Sequence, residues 1–228
     1  MSDSLETRLA EIRQRIDRAC ESAGRSAQEV ALLAVSKTFP AEVLRQASAL
    51  GVRRFGENRV QEIRQKHSEL ADLQPEWVLI GHLQTNKAKD AARLVHEVQS
   101  LDRWSLAEAL DARLQIEGRV IDALVQVKTS PEPSKFGLDP AELPEFLERV
   151  SHLKTMRVQG LMTMAVNSPV ESEVRACFSL LRQLRDQMQA QGHRSLTRLS
   201  MGMSGDFELA IQEGATEVRI GSAIFGSR

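Results

Sequence analysis

Lys37 follows the run Val30-Ala31-Leu32-Leu33-Ala34-Val35 with only Ser36 between them. A lysine closing an almost wholly apolar strand has its ammonium partly stripped of water, which favours the neutral amine and makes it a nucleophile for imine formation. The competing reading is a snorkelling or ion-paired lysine without a chemical role. Near the other end, Ser200-Met201-Gly202-Met203-Ser204-Gly205-Asp206 precedes a short helical stretch that stops at Gly214, and Arg219-Ile220-Gly221-Ser222 closes the last apolar run. Both turns join glycine, which lets backbone approach a ligand closely, to serine, which adds a hydroxyl donor. Ser204 and Gly205 fall where a helix begins and free N–H groups favour a phosphate, although an ordinary capped turn has the same composition. Two other runs lead into Gly56-Glu57-Asn58-Arg59 and Gly81-His82-Leu83-Gln84-Thr85-Asn86-Lys87. Asn58 then either faces a ligand or caps the helix that starts at Val60, and His82 is either a ligand contact or a hydrogen-bonded structural imidazole.

These residues need a scaffold that brings distant strand ends together. Leu5, Leu9, Ile12, Ile16 and Ala19 recur at helical spacing, so the chain opens with an amphipathic helix ending near Gly24. Short apolar runs follow at Val30–Val35, Arg54–Gly56, Trp77–Ile80, Val98–Leu101, Ala123–Val127, Val158–Met162, Leu199–Met201 and Val218–Ile220. Between them lie period-3.6 faces such as Val174, Cys177, Phe178, Leu181, Leu184 and Met188, as crossover helices on a parallel sheet require. The pattern predicts an α/β fold, a single (β/α)8 TIM-type barrel with an additional N-terminal helix, spanning residues 1–228 as one domain. A doubly wound open sheet is the alternative, because the strands at Phe55 and Met201 are weakly signalled. Thr129 to Gly137 reads as one long loop after the fifth strand rather than a domain linker. In a closed barrel the first and eighth strands are neighbours, so Lys37 lies across a short gap from the Gly221 turn. An amine beside a phosphate pocket suits a phosphorylated aldehyde, and both pyridoxal 5'-phosphate (PLP) and aldose phosphates qualify.

Bulk composition narrows the classes. With 42% hydrophobic and 27% charged residues and a net charge of -1, the chain reads as soluble and globular, without an electrostatic grip on nucleic acid. The opening residues lack a secretory layout, and no apolar stretch reaches the roughly 20 residues that cross a bilayer. A cytoplasmic protein is expected. Its two cysteines, Cys20 and Cys177, form neither a disulfide framework nor a zinc site and read as reduced packing residues. No metal is expected.

Nearly the whole chain resembles the PLP homeostasis (PLP-binding) proteins, relatives of the alanine racemase N-terminal barrel. The motifs are Ala34-Val35-Ser36-Lys37-Thr38, Phe55 to Glu62, Gly81 to Lys87, Ser134-Lys135-Phe136-Gly137, Gly160-Leu161-Met162-Thr163, Leu199 to Ser204 and Val218 to Gly221. The resemblance implies PLP held as a Schiff base on Lys37, with Ser204, Gly205, Gly221 and Ser222 on the phosphate and Arg219 facing the pyridine nitrogen. Asn58, His82, Met162 and Met201 would surround the ring. It further implies a non-catalytic monomer that buffers PLP in vitamin B6 and amino-acid homeostasis, with PLP and apo PLP-dependent enzymes as partners. Lys128 and Val166 depart from the family's usual asparagine and proline. An arginine can only donate, so a nitrogen facing it stays unprotonated and the ring is a weaker electron sink. The chain has no tyrosine, the group the related racemase draws from a further domain as its second proton carrier, and it ends soon after the eighth run. Both features favour a carrier over a racemase-like enzyme, and a colourless Schiff-base aldolase is the more distant rival.

Overall fold

The computed structural model describes residues 4–132 and 136–226. Among them, eight parallel strands close into a barrel in chain order. These are β1 (Ala31–Val35), β2 (Arg54–Glu57), β3 (Glu76–Leu79), β4 (Glu97–Leu101), β5 (Ile121–Gln126), β6 (Met156–Met162), β7 (Arg198–Ser200) and β8 (Glu217–Ile220). Closure comes from β1 pairing with β8, Leu33 opposite Arg219 and Ala34 opposite Ile220. The expected (β/α)8 barrel therefore stands, and the open-sheet alternative falls.

The extra N-terminal helix is α1 (Leu5–Ser22), capped by Ser4, whose hydroxyl accepts from the Thr7 N–H at 3.1 Å. Its apolar stripe, Leu9, Ile12, Ile16, Ala19 and Cys20, is buried against α8 (Phe207–Gln212) and α9 (Ser222–Phe225), the helices that follow β7 and β8. Arg8 donates to the Ile224 carbonyl at 2.7 Å and Arg15 pairs with Glu208 at 3.0 Å, so α1 braces the elements carrying both C-terminal turns. The other helices, α2 (Ala41–Ala49), α3 (Val60–Glu69), α4 (Ala88–Leu94), α5 (Trp104–Glu117), α6 (Leu143–Ser151) and α7 (Glu171–Ala190), follow β1 to β6. Of the face read for α7, Leu184 is half-buried and the rest are buried. Cys20 and Cys177 are free thiols within the apolar core. Among the described residues no helix is long and apolar enough to cross a membrane, and no acidic, histidine and cysteine cluster could hold a metal ion.

The barrel interior is polar near the N-terminal ends of the strands. Side chains alternate faces along a strand, and the inward positions of four strands carry Arg54, Glu97, Gln99, Arg198, Ser200 and Glu217. Glu217 is fully buried and accepts from Arg54 at 2.6 Å, Arg198 at 3.0 Å, Ser200 at 3.0 Å and, closely, Gln99. Arg198 also forks onto Glu97 at 2.7 and 2.9 Å. Inward charges interrupt the apolar runs, which is why β2 and β7 look faint in sequence.

Burial alone would push the Glu217 carboxyl up, but Arg54 and Arg198, with Gln99, outweigh it and hold the group below its ordinary range. Such a carboxylate stabilises the fold above its unfolded pKa, and that contribution is lost as pH falls through the folded value. Arg198→Met removes one of its two cations and should cost about 3 kcal/mol at neutral pH, read as the denaturation midpoint in urea. The deficit should shrink below about pH 4, where a protonated Glu217 no longer needs the cation. A deficit under about 1 kcal/mol at neutral pH would contradict this account of the network.

Candidate functional site

A cavity of about 560 Å³ opens at the C-terminal ends of the strands, the face where barrels of this kind carry their chemistry. Of the residues picked out in sequence, Lys37, Asn58, His82, Met162 and Arg219 reach its wall, as do the serines and glycines of the two C-terminal turns. Met201 does not. Ser200 points into the barrel interior, so the next residue faces outward, and Met201 is fully buried in the surrounding core. Met203, two positions further on and partly exposed, lines the cavity instead.

Lys37 is half-buried beyond the end of β1, and none of the described residues pairs with its ammonium. The backbone around it is tightly held. Thr38 has φ +69°, an outlier for a β-branched residue that costs about 1–3 kcal/mol and persists only where its surroundings impose it. Its N–H donates to Glu62 Oε2 at 2.8 Å. On the other side of Lys37, the Ser36 carbonyl accepts from Lys66 Nζ at 2.9 Å and the Ser36 hydroxyl donates to Glu57 Oε1 at 2.7 Å. Lys66 completes the group by donating to the same Glu57 oxygen at 2.6 Å and lying 3.7 Å from Glu62. Burial pushes the Glu57 carboxyl up, against the pull of Lys66. Glu57 had been expected to bring a polar group to the rim, but it is fully buried beneath it.

The two C-terminal turns meet. Ser222 and Ser204 hydroxyl oxygens lie 3.3 Å apart. Among the described residues, the N–H groups of Ser204, Gly205 and Ser222 have no acceptor. A Cβ built at Gly221 would come within 2.9 Å of the Val35 carbonyl oxygen, so only glycine lets this turn lie against the end of β1 beside Lys37. At Gly205 a Cβ would meet no protein atom within 4 Å, so internal packing does not demand glycine there.

Arg219 forms the floor. It is buried, donating to the Ser200 hydroxyl at 2.9 Å and the Thr163 carbonyl at 2.7 Å. Burial pushes its pKa down to about 10, with Glu217 and Asp206 opposing, so it remains a cation at neutral pH. His82 stacks on Phe136, with ring centroids 4.2 Å apart and planes 20° apart, and its Nδ1 lies 3.5 Å from Asp102 Oδ2. Asn58 leaves the N-cap position of α3 to Arg59 and faces the cavity. A Cβ at Gly81 would collide with the Asn58 carbonyl oxygen, so glycine lets the loops after β2 and β3 pass.

Gln126, Phe136 and Met164 also line the cavity and were missed in sequence. Gln126 ends β5 and donates to the Phe136 carbonyl at 3.0 Å; the strand-end rule that found Lys37 would have found it too. Ser134 and Lys135 lie outside the described residues. Lys87 is half-buried and Lys89 exposed on the α4 segment.

Comparison with known proteins follows from this geometry. A family model described as alanine racemase, N-terminal domain, matches residues 7–228. A protein of Aquifex aeolicus named pyridoxal phosphate homeostasis protein is 44% identical over 221 residues, covering 97% of each chain. PipY of Synechococcus elongatus, solved with PLP bound, superposes with a TM-score of 0.87 at 40% identity, covering 98% of this chain and 100% of that one. An alanine racemase of Clostridium difficile superposes with a TM-score of 0.77 at 13% identity, over 100% of this chain and 56% of the racemase, a likeness of fold alone. The chain belongs to the pyridoxal phosphate homeostasis protein family, which shares the barrel of the alanine racemase N-terminal domain.

Proposed function

We propose that this protein binds PLP reversibly as a Schiff base on Lys37 and acts as a carrier in PLP and amino-acid homeostasis rather than as an enzyme. The observation that carries the reading is the meeting, in one cavity, of an unpaired lysine with two turns whose N–H groups have no acceptor. The residues fit the group. Ser204, Gly205, Gly221 and Ser222 supply hydroxyl and N–H donors for a phosphate, and the open space at Gly205 leaves room for close approach. When bound, PLP supplies an electrophilic aldehyde and an electron-withdrawing ring. Met162, Asn58 and His82 lie along the cavity where a ring would rest, and PLP-bound PipY supports this choice of ligand.

Arg219 favours the carrier. As a buried cation at neutral pH it donates and cannot accept, so it cannot hold a pyridine nitrogen protonated, and carbanion chemistry loses its usual support. The enzyme reading is favoured by His82, a proton-carrying group beside Asp102 at the same cavity. Apo PLP-dependent enzymes are the proposed recipients, and the protein is proposed to work as a cytoplasmic monomer.

After loading with PLP and reduction with borohydride, peptide mapping should find the pyridoxyl adduct on Lys37; an adduct on another lysine overturns the assignment. Loaded protein should reactivate an apo-enzyme faster than the free cofactor does with a PLP scavenger present, and should wash no deuterium into the α-position of amino acids. Equal reactivation rates, or rapid wash-in, would reverse the choice between carrier and enzyme. The displacement at Arg219 corresponds to about 3 kcal/mol of unfavourable charge burial, comparable with the hydrogen bonds the residue makes. Arg219→Met should therefore leave the ligand-free protein within about 1 kcal/mol of the original, or more stable, in urea denaturation. A loss of more than about 2 kcal/mol would make Arg219 a structural residue instead.

A further inference from the structure

We propose that Lys66 is a positioning residue for Lys37, setting where its amine enters the cavity without entering the cavity itself. The proposal rests on the Schiff-base reading above. A lysine side chain swings on four rotatable bonds, and the one part the scaffold can fix is the direction in which it leaves the backbone. That direction follows from the two peptide groups flanking its Cα. Both are tied to the same small cluster.

On the N-terminal side, Lys66 donates to the Ser36 carbonyl at 2.9 Å, while the Ser36 N–H donates to the Gly56 carbonyl at 2.9 Å. On the C-terminal side, the Thr38 N–H donates to Glu62 at 2.8 Å. Glu62 and Lys66 sit one helical turn apart on α3 and lie 3.7 Å from each other. Glu57 closes the cluster, accepting from both Lys66 at 2.6 Å and the Ser36 hydroxyl at 2.7 Å. One helix therefore grips the backbone on either side of Lys37 and holds Thr38 at φ +69°.

Stability alone does not explain such a group. A buried ion pair is often no more stabilising than apolar residues of the same volume, and here one Glu57 oxygen is buried without a partner. Lys66 is almost wholly buried and absent from the cavity wall, so it neither touches a ligand nor moves a proton there. What the cluster does uniquely is present hydrogen-bonding groups to the two peptides that define the Lys37 backbone.

The test separates aldehyde capture from phosphate binding. PLP reports both, whereas pyridoxine 5'-phosphate carries an alcohol where PLP has its aldehyde and reports the phosphate and ring contacts only. In Lys66→Met the rate of imine formation, followed by near-visible absorbance in stopped flow, should fall at least about tenfold, as expected for a misplaced reacting group. The Kd for pyridoxine 5'-phosphate should stay within about twofold, because the phosphate turns are untouched. Lys66→Arg should recover most of the rate. Glu62→Ala, at a partly exposed position, should lower the rate by a smaller factor with the same unchanged Kd, and it decides the question if Lys66→Met does not fold. Equal losses for both ligands would mean a merely structural role, and an unchanged imine rate would overturn the proposal outright. Failure of the underlying reading looks different: the unmodified protein would then yield no adduct on Lys37.

Discussion

A buried carboxylate holds this barrel together from within. Glu217, on the last strand, receives donors from β2, β4 and β7, and a charge in that position is tolerable only when every lone pair facing the interior is met. The cations that meet it are shared with Glu97, so the strands of the interior are tied to one another by groups that cannot be removed singly. Ser200 carries the network upward, donating to Gln99 and Glu217 while accepting from Arg219. The cavity floor is thus an extension of the structural core, and Arg219 inherits a fixed position from it.

The rim is built on a different economy. Closure between β1 and β8 sets Lys37 beside the Gly221 turn, yet the groups that meet there are left unsatisfied: an ammonium without a partner, N–H groups without acceptors, and a cation whose burial is unfavourable. Natural proteins keep such features where a ligand completes them. The backbone around Lys37, by contrast, is strained and heavily bonded. A held backbone with a free side chain is the combination that a covalent tether needs.

Much of the fold was legible because its signals are local. The α1 stripe, the α7 face and the longer strands follow from periodicity, and the site residues at strand ends follow from a property of parallel barrels, that all C-terminal ends share one face. The faint strands around Phe55 and Met201 were faint for a physical reason: Arg54, Arg198 and Ser200 point inward to the charge network, so their strands lack continuous apolar runs. The same alternation misplaced Met201. Once Ser200 faces the interior, its neighbour must face the helices, and Met203 takes the place at the cavity.

By itself the sequence determined the period of each element, the glycine and serine turns, and the lysine that ends the first strand, since each depends on residues close in the chain. Only the tertiary structure decided which charges meet inside the barrel and what grips Lys37. Those partners lie far apart in sequence, as Arg54 and Glu217 do, or on a helix whose buried side reveals itself only after packing, as Lys66 does. Strand register and helix docking bring them within reach, and neither is written in any local run of residues.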